Sequence, residues 1–161
     1  MWLHCFDHKA GGWGRLGDMA VGRCGCGAAA LGTCLYAFGG EDANVEEERA
    51  CMTLYNTATR KVEEVAKPPR TLSDCAGVAC GGLVYSLGGI PGDRGTGYLY
   101  DASVADVCIY SPDIGTWVDG PALPTALSDL AAAEHSGCIY VCGAKNTPDG
   151  ALLILDPRTR A

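Results

Sequence analysis

The sequence predicts an all-β chain of short strands that repeat with a period near 50 residues. Three observations carry this reading. Glycine supplies 23 of the 161 residues, about twice the usual ~7%. It is costly inside a helix, so turns and short strands are expected rather than a helical bundle. Tyr36-Ala37-Phe38-Gly39-Gly40 recurs 49 residues later as Tyr85-Ser86-Leu87-Gly88-Gly89, and a further 55 later as Tyr140-Val141-Cys142-Gly143-Ala144. An aromatic residue also stands seven positions before a second apolar one in Phe6…Trp13, Tyr55…Val62 and Tyr110…Trp117. Other landmarks keep the same register: Trp13 maps onto Trp117 at the summed offset of 104, and Leu72-Ser73-Asp74 maps onto Leu127-Ser128-Asp129 at 55. Self-similarity of this length marks a repeat architecture.

A period near 50, with Gly-Gly after an aliphatic-aromatic strand and then a turn leading to Trp, resembles the kelch repeat. The resemblance covers essentially the whole chain. It implies a β-propeller in which each repeat is one four-stranded antiparallel blade, here a partial, open propeller. The third doublet departs from the pattern as Gly143-Ala144, and Val62 stands in one Trp slot. The arginine that kelch repeats often carry at the start of the first strand appears as Arg23, while Leu72 and Leu127 fill its other slots.

The elements follow in order. Residues 2–6 and 13–16 read as the last two strands of a first partial blade spanning 1–20. A full blade over 21–69 has strands near 24–30, 33–38, 50–55 and 61–65. A second full blade covers 70–124. Its first strand, 76–80, is small and apolar, as suits a crowded inner position, and the Gly81-Gly82 pair permits a tight hairpin. Its second strand, 83–87, is apolar on both faces, as expected of a sheet sandwiched between neighbours. A long polar loop over 90–103 leads to a third strand at 104–110. Ser111-Pro112-Asp113 turns into a fourth strand that carries Trp117 and stops at Pro121. A last partial blade over 125–161 supplies three strands, and Leu155-Asp156-Pro157 begins the turn motif once more. A closed propeller holds roughly 4–8 blades. The missing blades are therefore expected from a full-length chain, and both terminal blades expose open edges and apolar faces. Two copies would meet with a duplicated third strand, so a closed homodimer is not expected.

Composition narrows the function. The net charge is −7 and the pI near 4.8, which argues against nucleic acid, whose phosphates require clustered Lys and Arg. The 48% apolar content excludes an overall disordered chain. Residues 75–92 carry no charge, but Gly81-Gly82, Gly88-Gly89 and Pro91 fit two buried strands better than a membrane helix. The start of the chain holds His4, Asp7 and His8 where a secretory signal needs an apolar core. The expected location is the cytoplasm, with all ten cysteines reduced. Cys24-x-Cys26 is the one tight pair, and small buried thiols are favoured there over a metal or redox site.

Kelch-like propellers also occur in enzymes, so the residues that could carry chemistry matter. His4 and His8 belong to the first partial blade and His135 to the last, which does not support a shared metal. No serine has an elbow motif, and Gly95-Thr96-Gly97 lacks a strand–helix context for phosphate binding. Asp74 and Asp129 are repeat-equivalent, which favours a structural role over acid–base work. No cofactor or metal is expected.

The expected function is non-catalytic protein–protein recognition by kelch repeats, with the substrate-recognition part of an adaptor as its more specific form. A neighbouring BTB-type or F-box-type segment would favour that role. The alternatives are a fragment of a kelch-propeller enzyme, of oxidase or sugar-mutarotase type, or a truncated gene product without independent function. In an antiparallel blade the second-to-third-strand loops and the blade-to-blade connections share one rim, so loops 41–49, 90–103 and 144–150 project together. The acidic run Glu46-Glu47-Glu48 lies there, and a solvated loop is favoured over a recognition patch. Candidate partner contacts are Arg70, Asp93, Arg94, Tyr98 and Tyr100 on the rim, with Arg23, Ser73 and Ser128 at inner-strand starts. For any single one, loop stabilisation is the favoured role.

Overall fold

A computed structural model describes residues 2–19, 22–40, 51–91, 103–143 and 151–158. Fifteen strands and no helix occur among them: β1 (Trp2–Asp7), β2 (Gly12–Asp18), β3 (Gly27–Leu31), β4 (Cys34–Phe38), β5 (Met52–Asn56), β6 (Lys61–Val65), β7 (Leu72–Ser73), β8 (Ala76–Cys80), β9 (Leu83–Leu87), β10 (Ile90–Pro91), β11 (Val107–Ser111), β12 (Thr116–Asp119), β13 (Leu130–His135), β14 (Cys138–Gly143) and β15 (Ala151–Leu155). They form two four-stranded antiparallel sheets, β3-β4-β5-β6 and β8-β9-β11-β12, a three-stranded sheet β13-β14-β15, a hairpin β1-β2 and the short ladder β7-β10. The result is an open β-propeller of antiparallel blades. Tyr36, Tyr85 and Tyr140 sit in β4, β9 and β14, the second strand of three successive sheets.

The repeat register is visible in the pairing. Leu35 faces Tyr55, Val84 faces Tyr110, and Ile139 faces Leu155. The aromatics spaced seven apart meet across hairpins: Phe6 opposite Trp13, Tyr55 opposite Val62, and Tyr110 opposite Trp117. The turns between them use one chemistry. Asp7 Oδ1 accepts from the amides of Lys9 and Ala10, and Asn56 Oδ1 from those of Ala58 and Thr59. Such side chains mimic a backbone turn acceptor.

Three boundaries differ from the sequence expectation. The inner strand expected near 24–30 begins at Gly27, because Gly25 has φ +66° and breaks the strand after a single bridge at Cys24. The strand expected at 104–110 begins at Val107. The preceding segment is held by Gly88 and Gly89, whose positive φ turns the chain out of the sheet, with Val104 N donating to Gly89 O at 2.9 Å. The loop expected from residue 90 opens with β10, paired to β7. Residues 92–102 of that loop, and loops 41–49 and 144–150, lie outside the described residues.

The apolar core sits between sheets. One cluster joins Tyr36, Phe38 and Met52 of the first full blade to Val84 and Tyr110 of the second. The next joins Val78, Tyr85 and Leu87 to Ile139 and Val141 of the three-stranded sheet. Trp117 ties the first pair together. Its ring lies edge-on to Phe38 at 5.5 Å, and its Nε1 donates to the Ala66 carbonyl of the preceding blade at 3.2 Å. Fully burying an aliphatic or phenylalanine side chain such as Phe38 or Leu87 contributes on the order of 1.5–3 kcal/mol.

Inner strands approach backbone to backbone. A methyl group at Gly77 in β8 would lie 2.5 Å from the Ala28 nitrogen and 2.6 Å from its carbonyl oxygen in β3. At Gly14 in β2 a methyl group meets nothing within 4 Å. Gly77→Ala is therefore expected to lower stability by about 1–3 kcal/mol through overpacking, while Gly14→Ala changes it by less than ~0.5 kcal/mol. Urea-unfolding midpoints of the two variants test this. Equal midpoints would contradict close packing of the inner strands.

Candidate functional site

The second-to-third-strand loops and the blade-to-blade connections do spring from one edge. Gly40 N donates to Leu72 O at 2.9 Å, and Gly89 N to Leu127 O at 2.8 Å. Each bond ties the start of a long loop to the connection entering the next blade. At the other edge Thr57 N donates to Thr33 O at 2.8 Å, bringing together the two tight turns of one blade. Among the described residues, then, one rim carries the bases of all three long loops and the opposite rim carries short turns.

A row of equivalent residues borders the inner strands. Gly25, Asp74 and Asp129 have φ of +66°, +51° and +53°. Asp74 N donates to Gly25 O at 2.7 Å, and Asp129 N donates to Asp74 O at 3.0 Å. Asp is one of the few non-glycine residues that tolerates this left-handed region. The two carboxylates thus mark a backbone conformation that links blades.

The inner-start candidates are buried. Arg23 is 8% exposed, Ser73 2% and Ser128 1%. The Arg23 guanidinium donates to Gly39 O at 2.9 Å and to the Cys51 carbonyl, so it clasps both ends of the first long loop. Ser73 Oγ lies 3.5 Å from Ile90 O, and Ser103 Oγ donates to Ser128 Oγ at 3.0 Å. All three hold loop bases in place.

Arg70 is the described candidate that reaches the rim surface. Its Nε lies 3.2 Å from Asp106 and its Nη1 2.8 Å from Asp119, with side chains 44%, 35% and 67% exposed. The contacts tie the connection entering the second full blade to the start of β11 and the end of β12 in that blade, and at this exposure solvent screens them. Neither aspartate is marked in the sequence. The contact spans 36 and 49 residues, and no local spacing announces it. Asp93, Arg94, Tyr98 and Tyr100 lie outside the described residues.

No group of three or more His, Cys, Asp or Glu comes together as a metal site among the described residues. Among the same residues no helix is long and apolar enough to cross a membrane. Cys5, Cys24 and Cys142 are exposed, whereas Cys75, Cys80 and Cys108 are buried. Burial pushes the Cys75 thiol up to about 11 and raises those of Cys80 and Cys108 as well.

An acid held neutral by folding stabilises the chain up to its unfolded value, and the benefit is lost as pH rises through the folded one. Stability is therefore expected to fall from pH 9.0 to about 11 as unfolded thiols ionise first, with the fall reduced in Cys75→Ala. Urea midpoints across that range test it, and an identical slope in the variant would contradict it.

The kelch motif family matches residues 22–69, the first full blade with its connection. The chain is 32% identical over 152 residues to Kelch-like protein 33 of Homo sapiens, covering 91% of this chain and 27% of that protein. It is 37% identical over 97 residues to Kelch repeat and BTB domain-containing protein 12 of Danio rerio, covering 55% and 15%. It is 25% identical over 136 residues to Kelch-like protein 36 of Mus musculus, covering 81% and 21%. The chain thus spans about a quarter or less of the length of the relatives it matches. With a kelch motif on its first full blade, relatives aligned across most of its length and the same register running through its sheets, the chain belongs to the kelch-repeat family.

Proposed function

We propose that the chain is a non-catalytic protein-interaction module whose loop-bearing rim receives a protein partner, within an adaptor that works in the cytoplasm. The observation that carries this reading is the shared rim: the base of the first long loop is fixed by the Gly40–Leu72 bond and the Arg23 clasp, and that of the second by the Gly89–Leu127 bond. Long loops on a rigid scaffold are where recognition usually resides. Two relatives, from Danio rerio and Cowpox virus, are named as kelch repeat and BTB domain-containing proteins, which supports the adaptor role.

Within this reading the segments 21–69 and 70–124 act as whole repeat units, and 1–20 and 125–161 as parts of two others. Contact with the partner falls to Arg70 and to Asp93, Arg94, Tyr98 and Tyr100 of the second long loop. Arg23, Ser73 and Ser128 contribute by holding loop bases. Tyr and Arg are the residue types that most often dominate binding energy at protein interfaces.

The test begins with proximity labelling in cells and continues with the purified partner so identified. Arg94→Glu and a Tyr98→Ala/Tyr100→Ala pair are expected to weaken binding at least tenfold with the melting temperature unchanged. Binding indifferent to both would remove the rim from the account.

A further inference from the structure

The polar devices that hold this fold recur from blade to blade. Asp74 and Asp129 share one left-handed conformation at equivalent positions, and Asp7 and Asn56 close equivalent turns. The ion pairs of Arg70 do not recur. Val21 stands in the place of Arg70 49 residues before it, and Thr125 stands there 55 residues after it. Cys51 and Glu64 stand in the places of Asp106 and Asp119 at the offset of 55. A contact that the repeat itself required would be present in each copy. Among the described residues, this bridge belongs to the second full blade alone.

Its geometry leaves bonding capacity open on the rim. Arg70 Nε faces Asp106 Oδ2 at 3.2 Å, and Arg70 Nη1 faces Asp119 Oδ1 at 2.8 Å. Among the described residues, Asp106 Oδ1 and Asp119 Oδ2 have no partner. The guanidinium therefore braces two carboxylates that each keep one oxygen unengaged. Asp119 is the most exposed of the three side chains. Solvent screens the bridge, so stability gives little reason for it. The charges sum to one positive against two negative, in a chain of net charge −7. An incoming carboxylate meets Asp106 and Asp119 as like charges, whereas an incoming cation meets the surplus. Complementarity of this kind sets which partner a rim accepts.

We infer that Asp106 and Asp119, braced by Arg70, are the docking site for a basic side chain of the protein partner. A lysine or arginine of that partner donates to the open carboxylate oxygens in charge-assisted bonds. Arg70 fixes the spacing of the two acceptors. The inference rests on the rim reading and names the partner chemistry that this part of the rim takes.

The purified chain, labelled with carbon-13, is titrated with N-acetyl-arginine amide and separately with N-acetyl-glutamate amide at equal ionic strength. The side-chain carboxyl signals of Asp106 and Asp119 are followed by NMR. The arginine compound is expected to shift both signals along a saturating curve, and the glutamate compound to leave them in place. In Asp119→Asn the shift of the Asp106 signal is expected to fall by at least half. Signals that do not move, or that move equally with both compounds, overturn the proposal. Binding to the partner found by proximity labelling supplies a test of sign. Asp106→Asn/Asp119→Asn is expected to weaken it about fivefold or more and to flatten its salt dependence. Arg70→Met leaves both carboxylates and is expected to leave binding undiminished. All three variants are expected to keep the melting temperature of the unaltered chain. Loss of binding in Arg70→Met with a gain in the double variant would assign the contact to an acidic group of the partner and overturn the proposal. Unchanged binding in the double variant, with Tyr98→Ala/Tyr100→Ala still weakening it, overturns this inference and leaves the rim reading standing. Unchanged binding in all of them removes both.

Discussion

The backbone hydrogen bond from the second glycine of each doublet into the next blade is the constraint on which the assembly depends. Gly40 reaches Leu72 O and Gly89 reaches Leu127 O. The first glycine of each pair makes that approach possible. A methyl group at Gly88 would lie 2.5 Å from Leu127 O, and one at Gly39 would also collide with Leu72 O. Positive φ at both positions adds a second reason for glycine. The parallel row through Gly25, Asp74 and Asp129 repeats the connection at the inner strands. Separate sheets become one body through these bonds, and the apolar clusters fill the space between.

That constraint also explains which parts of the architecture were legible. The doublets, the Tyr and Trp landmarks and the small inner strand 76–80 are local signals, each imposed by close approach or by a hairpin. They determine strand type and order, and the register of Tyr36, Tyr85 and Tyr140 holds in the structure. Strand ends were less legible, because the positive φ at Gly25 and at the Gly88-Gly89 exit shortens strands whose composition reads as continuous. The candidate site was less legible still. Arg23 looks like a reachable cation in sequence, yet the chain folds over it and uses its guanidinium to hold two carbonyls. Arg70 meets Asp106 and Asp119 only because the connection entering the second full blade crosses the ends of its β11 and β12, and a one-dimensional pattern carries no trace of that.

The division of labour between the rims follows from the same geometry. Short turns on one side are closed by side chains such as Asp7 and Asn56 bonding to nearby amides. On the other side the chain leaves the sheets at the doublets, and sequence length varies without disturbing the bonds beneath. The 49- and 55-residue offsets differ by six residues, while the pairing of Leu35 with Tyr55 and of Val84 with Tyr110 keeps one register. Loops free to vary on a fixed base are suited to recognition.

Native-state hydrogen exchange tests the central claim most directly. If inter-blade backbone bonds make the sheets one cooperative body, the amides of Gly40, Gly89, Asp74 and Asp129 open only with the free energy of global unfolding. They should then be protected as strongly as the amides within β8 and β9. Exchange of those four amides as fast as that of the turn residues Gly32 and Gly81, with strand amides still protected, would show blades that fold independently and contradict the account.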